Sequence, residues 1–66
     1  MPSNIKGEIR QMVSTTLNQL EGAAEKMARL FDIMAVDHPD IAGQLELIGR
    51  VALELHASLQ EINKLL

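Results

Sequence analysis

The sequence predicts an all-α fold made of one antiparallel helical hairpin. Apolar residues recur at alternating steps of four and three along two long segments, which is heptad spacing and not the alternation of a strand. A single proline-containing turn separates these segments. The chain has one Phe and neither Tyr nor Trp, so the aromatic residues that favour strands are nearly absent.

The length permits one small domain that spans residues 1–66. The chain has no cysteine, so disulfides and thiolate-bound zinc cannot support the fold. Chains this short usually need a disulfide, a metal or a partner chain for stability. We therefore expect either idealised helix packing or association with another chain.

The first helix is predicted to span about residues 4–36. Ser3 or Asn4 can cap its start. Continued toward the N-terminus, the heptad falls on Arg10 and Lys6, so the first turns are expected to pack differently. The apolar stripe of this helix comprises Val13, Leu17, Leu20, Ala24, Met27, Phe31 and Met34.

The turn is predicted at residues 37–39. Pro39 disfavours the α conformation at His38, so the first helix should end before it. Proline is well tolerated in the first turn of a helix, so the second helix should begin near Pro39. We expect Asp37 to cap that helix and Asp40 to lie in its positively polarised first turn.

The second helix is predicted to span about residues 39–65. Gly22 in the first helix and Gly49 in the second fall outside the stripes. A slight kink or the close approach of a partner backbone would each account for a glycine there, but we expect both glycines to face solvent. The stripe of the second helix comprises Ile41, Leu45, Ile48, Ala52, Leu55, Leu59, Ile62 and Leu66.

Both helices carry further apolar residues beside the main stripe. An isolated hairpin buries one stripe per helix, so wider apolar faces predict a homodimer that forms a four-helix bundle. The residues expected to hold the oligomer together are Leu17, Leu20, Met27, Phe31, Leu45, Ile48, Leu55, Leu59 and Ile62. The candidates for a secondary contact with a protein partner are Ile33, Leu47, Val51 and Leu53.

The sequence offers no constellation that indicates catalysis. Ser58 and His56 are two residues apart on a helix and do not face each other. The four glycines are isolated and form no phosphate-binding loop. Asp37, His38 and Asp40 could approach a metal ion, but a fourth ligand is not evident. We therefore predict no enzymatic activity, no metal and no cofactor.

The tripeptide His38-Pro39-Asp40 resembles the His-Pro-Asp motif of J-domain cochaperones, which also lies in a turn between two helices. In that family a helix with a basic chaperone-binding face precedes the motif. Residues 30–37 contain no basic residue, so the resemblance is confined to three positions. A proline turn with acidic helix-start residues accounts for these positions without a further function.

The function predicted from the sequence is a non-enzymatic helical interaction module that oligomerises and binds or regulates another protein. One alternative is an RNA-binding dimer, because the predicted architecture resembles that of Rop-type plasmid copy-number regulators. Lys6 and Arg10 are then the candidate phosphate contacts, although a net charge of -3 argues against broad nucleic-acid binding. A second alternative is a secretion-type chaperone or a neutralising subunit of a hetero-complex.

The sequence also suggests a location. The N-terminal residues lack the apolar region of a secretory signal, and no apolar run approaches the length needed to cross a bilayer. We therefore expect a cytoplasmic protein without a membrane association.

Overall fold

The computed structural model describes residues 2–66, and side chains from residue 5 onward. Two helices, α1 (Pro2–Met34) and α2 (Pro39–Leu65), run antiparallel along each other. These residues contain no strand, so the prediction of an all-α hairpin is confirmed. α1 ends two residues before the predicted boundary, and the bounds of α2 agree with the sequence. The capping proposed for Ser3 or Asn4 depends on side chains outside the described ones.

The turn between the helices is tight because helical hydrogen bonding continues past the end of α1. The amide of Ala35 donates to the Phe31 carbonyl at 2.8 Å, and the amide of His38 donates to the Met34 carbonyl at 2.7 Å. Asp40 lies in the first turn of α2, where a negative charge is favourable.

The prediction that Asp37 caps α2 is wrong. The N-cap residue is His38, and its side chain makes no capping hydrogen bond. Pro39 occupies the first position of α2 and restricts the preceding residue to a non-helical conformation, with φ -138° and ψ 68°. The residue at the cap is therefore fixed by the position of the proline and not by the side chain best suited to the role.

The two helices meet along a seam of half-buried side chains. On α1, all seven members of the predicted stripe lie in this seam. On α2, every second member of the predicted stripe lies in the seam, and Ile41, Ile48, Leu55 and Ile62 are exposed instead. Ala42, Gly49 and His56, each one residue further along the chain, take the seam positions of the first three. The seam of α2 comprises Ala42, Leu45, Gly49, Ala52, His56, Leu59 and Leu66, which also follow heptad spacing.

Gly49 allows the backbones to come close together. A Cβ atom at Gly49 would lie 3.3 Å from the Cβ of Met27 and 4.0 Å from the carbonyl oxygen of Ala24. The prediction that Gly49 faces solvent is therefore wrong, whereas a Cβ atom at Gly22 would meet nothing within 4 Å. Small side chains at Gly49 and Ala52 let the helices approach more closely than Ile or Leu would allow.

The far end of the hairpin is held by Arg10. Its guanidinium donates a hydrogen bond to the carbonyl of Leu66, where a positive charge complements the negative end of the α2 dipole. Residues 2–9 of α1 therefore extend past the end of α2 by about 12 Å, at a helical rise of about 1.5 Å per residue. This extension includes Ile5 and Ile9, which are 57% and 41% exposed.

The close approach at Gly49 yields a stability prediction. Gly49→Leu should lower the free energy of unfolding by about 1–3 kcal/mol, because the new side chain must displace Met27 or separate the helices. Urea unfolding followed by circular dichroism measures this change. Gly43→Leu is the matched control, since a Cβ atom there meets nothing within 4 Å and Leu has the higher helix propensity. Equal stability of the two variants would contradict the close packing at Gly49.

Candidate interaction surface

The hairpin leaves most of its large apolar side chains in contact with solvent. Among the side chains described, the two that are buried belong to Ala42 and Ala52, and no large side chain is fully buried. Isolated exposed leucines are normal on protein surfaces, but a contiguous apolar patch usually marks an interaction site. The arrangement of these exposed residues is therefore informative.

On α2 the exposed apolar residues form a second heptad stripe beside the seam. Ile41, Ile48, Leu55 and Ile62 follow one another at intervals of seven residues, and the first three each lie one position before a seam residue. Val51 and Leu65 extend the stripe on its outer side. Leu20 of α1 and residues of this stripe line a shallow groove of about 330 Å³. The stripe therefore flanks the seam on the side where this groove opens.

On α1 a matching stripe begins at Ile5 and continues at alternating steps of four and three to Ile33. Its exposed apolar members lie toward the two ends of the helix, and its middle is mostly polar. Together with the α2 stripe it forms what we call the apolar face. The large apolar members of this face are Ile5, Ile9, Met12, Leu30, Ile33, Ile41, Ile48, Val51, Leu55, Ile62 and Leu65.

The opposite side of the hairpin, which we call the polar face, carries most of the charge that flanks the seam. A groove of about 470 Å³ opens there, with Phe31, Gly49 and Leu53 in its wall and Asp32 and Arg50 at its edge. Arg50 also pairs with Glu46 at 2.9 Å. Further charged residues recur at heptad intervals from this groove, namely Glu21, Glu25 and Lys64. Within the α1 stripe of the apolar face, by contrast, the one charged residue is Lys26.

The residues predicted to hold an oligomer together fall into two groups. Six are half-buried in the seam between α1 and α2, namely Leu17, Leu20, Met27, Phe31, Leu45 and Leu59. The other three, Ile48, Leu55 and Ile62, are exposed on the apolar face. Their shared apolar character and heptad spacing predicted a single stripe. The structure places one group between the helices and the other on the apolar face.

The four predicted secondary contacts are also divided between the two sides. Ile33 and Val51 belong to the apolar face, and Leu47 lines the groove beside Ile48. Leu53 lies on the polar face, in the wall of the other groove. The sequence analysis missed the contribution of Ile5, Ile9 and Met12 to the apolar face. Their alternating spacing with Leu30 and Ile33 is the signal that could have identified it.

The turn does not gather a reactive group of side chains. Asp37, His38, Pro39 and Asp40 are all exposed. Among the side chains that the structure describes, no three His, Cys, Asp or Glu residues come together in a way that could hold a metal ion. His56, which lies in the seam, places its Nε2 atom 4.0 Å from Oε2 of Glu21, a contact that is an ion pair only when the imidazole is protonated.

The chain has no match among known protein families, curated proteins or solved structures. Over residues 2–66, neither helix has the combination of length and apolar character that crossing a membrane requires. The physical character of the two faces is therefore the basis for a functional proposal.

The turn geometry gives a second prediction. His38→Ala should change the free energy of unfolding by less than about 0.5 kcal/mol, because the exposed imidazole makes no capping hydrogen bond. Thermal and urea unfolding of the variant beside the parent chain measures the change. A loss above about 1 kcal/mol would mean that the side chain supports the start of α2. Loss of a cellular activity by a fully stable variant would instead assign the turn a recognition role.

Proposed function

We propose that this chain is a non-enzymatic interaction module that works as a homodimer. Two hairpins pair through their apolar faces into a four-helix bundle, and the outer surface of the bundle binds another protein. The observation that carries this proposal is the segregation of exposed apolar side chains to one side of the hairpin and of charge to the other.

The small interior of one hairpin supports pairing. A chain of 66 residues whose buried side chains are both alanine removes little apolar surface from water. The half-buried leucines of the seam would be covered further by a second hairpin laid across the apolar face. Pairing therefore supplies the burial that a single copy lacks.

The dimensions of the hairpin fit a dimer of ordinary size. The hairpin measures 54 Å along its length and 15 Å across the two helices. A rectangle of these dimensions has an area of about 800 Å², which is of the same order as the accessible surface that each partner buries in a standard protein interface. The interface is also isologous, since the same face serves both copies in a two-fold dimer.

The polar face stays accessible in such a dimer and is the proposed site for a protein partner. Its groove combines an apolar wall at Phe31 and Leu53 with charged groups at Asp32 and Arg50. A groove of this kind can bind an apolar side chain of a partner, and the charged groups at its edge can make polar contacts around that side chain.

RNA binding receives less support from the arrangement of basic groups. Among the side chains described, Arg10 donates to the Leu66 carbonyl, Arg50 pairs with Glu46, and Lys64 pairs with Glu61 at 3.3 Å. These contacts use three of the six Lys and Arg residues. A surface that tracks phosphates needs several uncompensated positive charges on one side, and these are dispersed.

Two leucines of similar exposure provide the test of the proposal. Leu55 is 53% exposed and lies on the apolar face, whereas Leu53 is 56% exposed and lies on the polar face. Leu55→Asp should shift the chain from dimer to monomer and weaken its helical signal, because it places a charge in the interface. Leu53→Asp should leave the dimer intact. Light scattering over a wide concentration range, with circular dichroism alongside, distinguishes these outcomes.

The parent chain itself provides the decisive control. A parent chain that stays monomeric and well folded at high concentration would contradict the proposal. A parent chain that folds only when coexpressed with a different protein would favour the neutralising-subunit or chaperone function instead. Once a protein partner has been identified, Leu53→Asp should reduce the affinity of the dimer for that partner without changing the mass of the dimer.

A further inference from the structure

The apolar stripe of α1 has a symmetric pattern. Its residues are Ile5, Ile9, Met12, Thr16, Gln19, Ala23, Lys26, Leu30 and Ile33, so large apolar side chains lie toward both ends and polar ones near the middle. Gln19 is the fifth of these nine residues and is the centre of the pattern. A helix with this stripe matches itself best when a second copy crosses it in the opposite direction.

We infer that the two hairpins lie antiparallel, with their turns at opposite ends and the two-fold axis passing beside Gln19, so that each α1 packs on the α1 of the second copy. This inference rests on the proposed dimer and specifies its geometry. In this register Ile5 lies opposite Ile33 of the second copy, and Ile9 lies opposite Leu30. Ala23 lies opposite Thr16, and the two Gln19 side chains meet at the axis.

The register also accommodates the one charged residue of the α1 stripe and covers the end of α1 that extends past α2. Lys26 lies opposite Met12 of the second copy, where its methylene chain can pack while its amine reaches solvent. Ile5 and Ile9 extend beyond the end of α2 in one hairpin, and the second copy covers them with the turn-proximal half of its own α1.

The contacts within the hairpin then determine how α2 packs against the α2 of the second copy. Arg10 contacts Leu66, Met27 faces Gly49, and Glu21 is near His56, so the residue numbers at one level add to 76 or 77. Gln19 is therefore level with residue 57 of α2. An axis at this level pairs apolar residues again, with Val51 opposite Ile62 of the second copy.

The agreement between the two helices supports the inference. The axis was located from the α1 stripe alone, yet on α2 it also places Ile48 opposite Leu65 of the second copy. The remaining pair joins Leu55 to Ser58, one apolar and one small residue. Ile41 and Gln44 of α2 lie beyond the last residue of the other α2, so the match covers the part of the stripe from Ile48 to Leu65.

The opposite arrangement, with both turns at one end, is less favourable. It packs α1 on the α2 of the second copy at the same level, which brings Lys26 against Val51 and Gln19 against Ser58. It also leaves Ile5 beyond the last residue of α2 in both copies. The antiparallel arrangement instead covers Ile5 with Ile33 of the second copy, and burial of these two side chains favours it.

Cysteine crosslinking tests the axis directly, because the chain has no cysteine of its own. Gln19→Cys should form a disulfide with the same position of the second copy under mild oxidation. Only near the axis do the two Cα atoms of one position lie within the roughly 4.4–6.8 Å that a disulfide requires. Lys26→Cys is the matched control on the same stripe. Its two copies would be about 21 Å apart along the bundle at 1.5 Å per residue, so it should not crosslink with itself.

A mixture of two variants extends the test to the register. Met12→Cys and Lys26→Cys should each stay uncrosslinked alone and should crosslink with each other when mixed. Mass spectrometry of the oxidised products, with light scattering on the same samples, identifies the species. Dimers in which Gln19→Cys remains reduced would overturn this geometry and leave the proposed dimer standing. A chain that is monomeric at every concentration would overturn both.

Discussion

The structure depends on how closely the two helices approach each other. Gly49 and Ala52 on α2 bring its backbone against Met27 and Ala24, and this contact leaves little space for larger side chains in the seam. Close approach therefore comes at the expense of a large apolar interior. A hairpin built in this way makes a precise pair of helices, but most of its large apolar side chains stay exposed to solvent.

That constraint also determines where the large residues of α2 lie. Two heptad stripes run along this helix one residue apart, and the seam can accept only one of them. The stripe of small and mixed residues enters the seam, so Ile41, Ile48, Leu55 and Ile62 are turned to the side. The interaction surface is thus a direct consequence of the packing that forms the hairpin, since neither stripe can move without moving the other.

The hairpin itself could be predicted because its signals are local. Heptad spacing identifies both helices, and Pro39 ends one and begins the other whatever the tertiary contacts are. The choice between the two α2 stripes could not be predicted in the same way. Apolarity ranks Ile48 above Gly49, whereas the seam selects Gly49 because helix separation decides which side chains fit. The cap has a different, local cause: Pro39 makes His38 the N-cap residue, whereas the expectation for Asp37 rested on the capping preference of its side chain.

Polar residues within the apolar face have a role that burial alone does not explain. A uniformly apolar face would accept a second copy in several registers and either direction, because every leucine can replace another. Gln19 and Lys26 break this equivalence, since arrangements that hold them against isoleucine or leucine leave their polar groups without partners. In the proposed dimer they would lower the affinity of the face and restrict the geometries that it permits. The proposed module would benefit from such a restriction, because the position of Leu53 on each copy would then follow from the position of the axis.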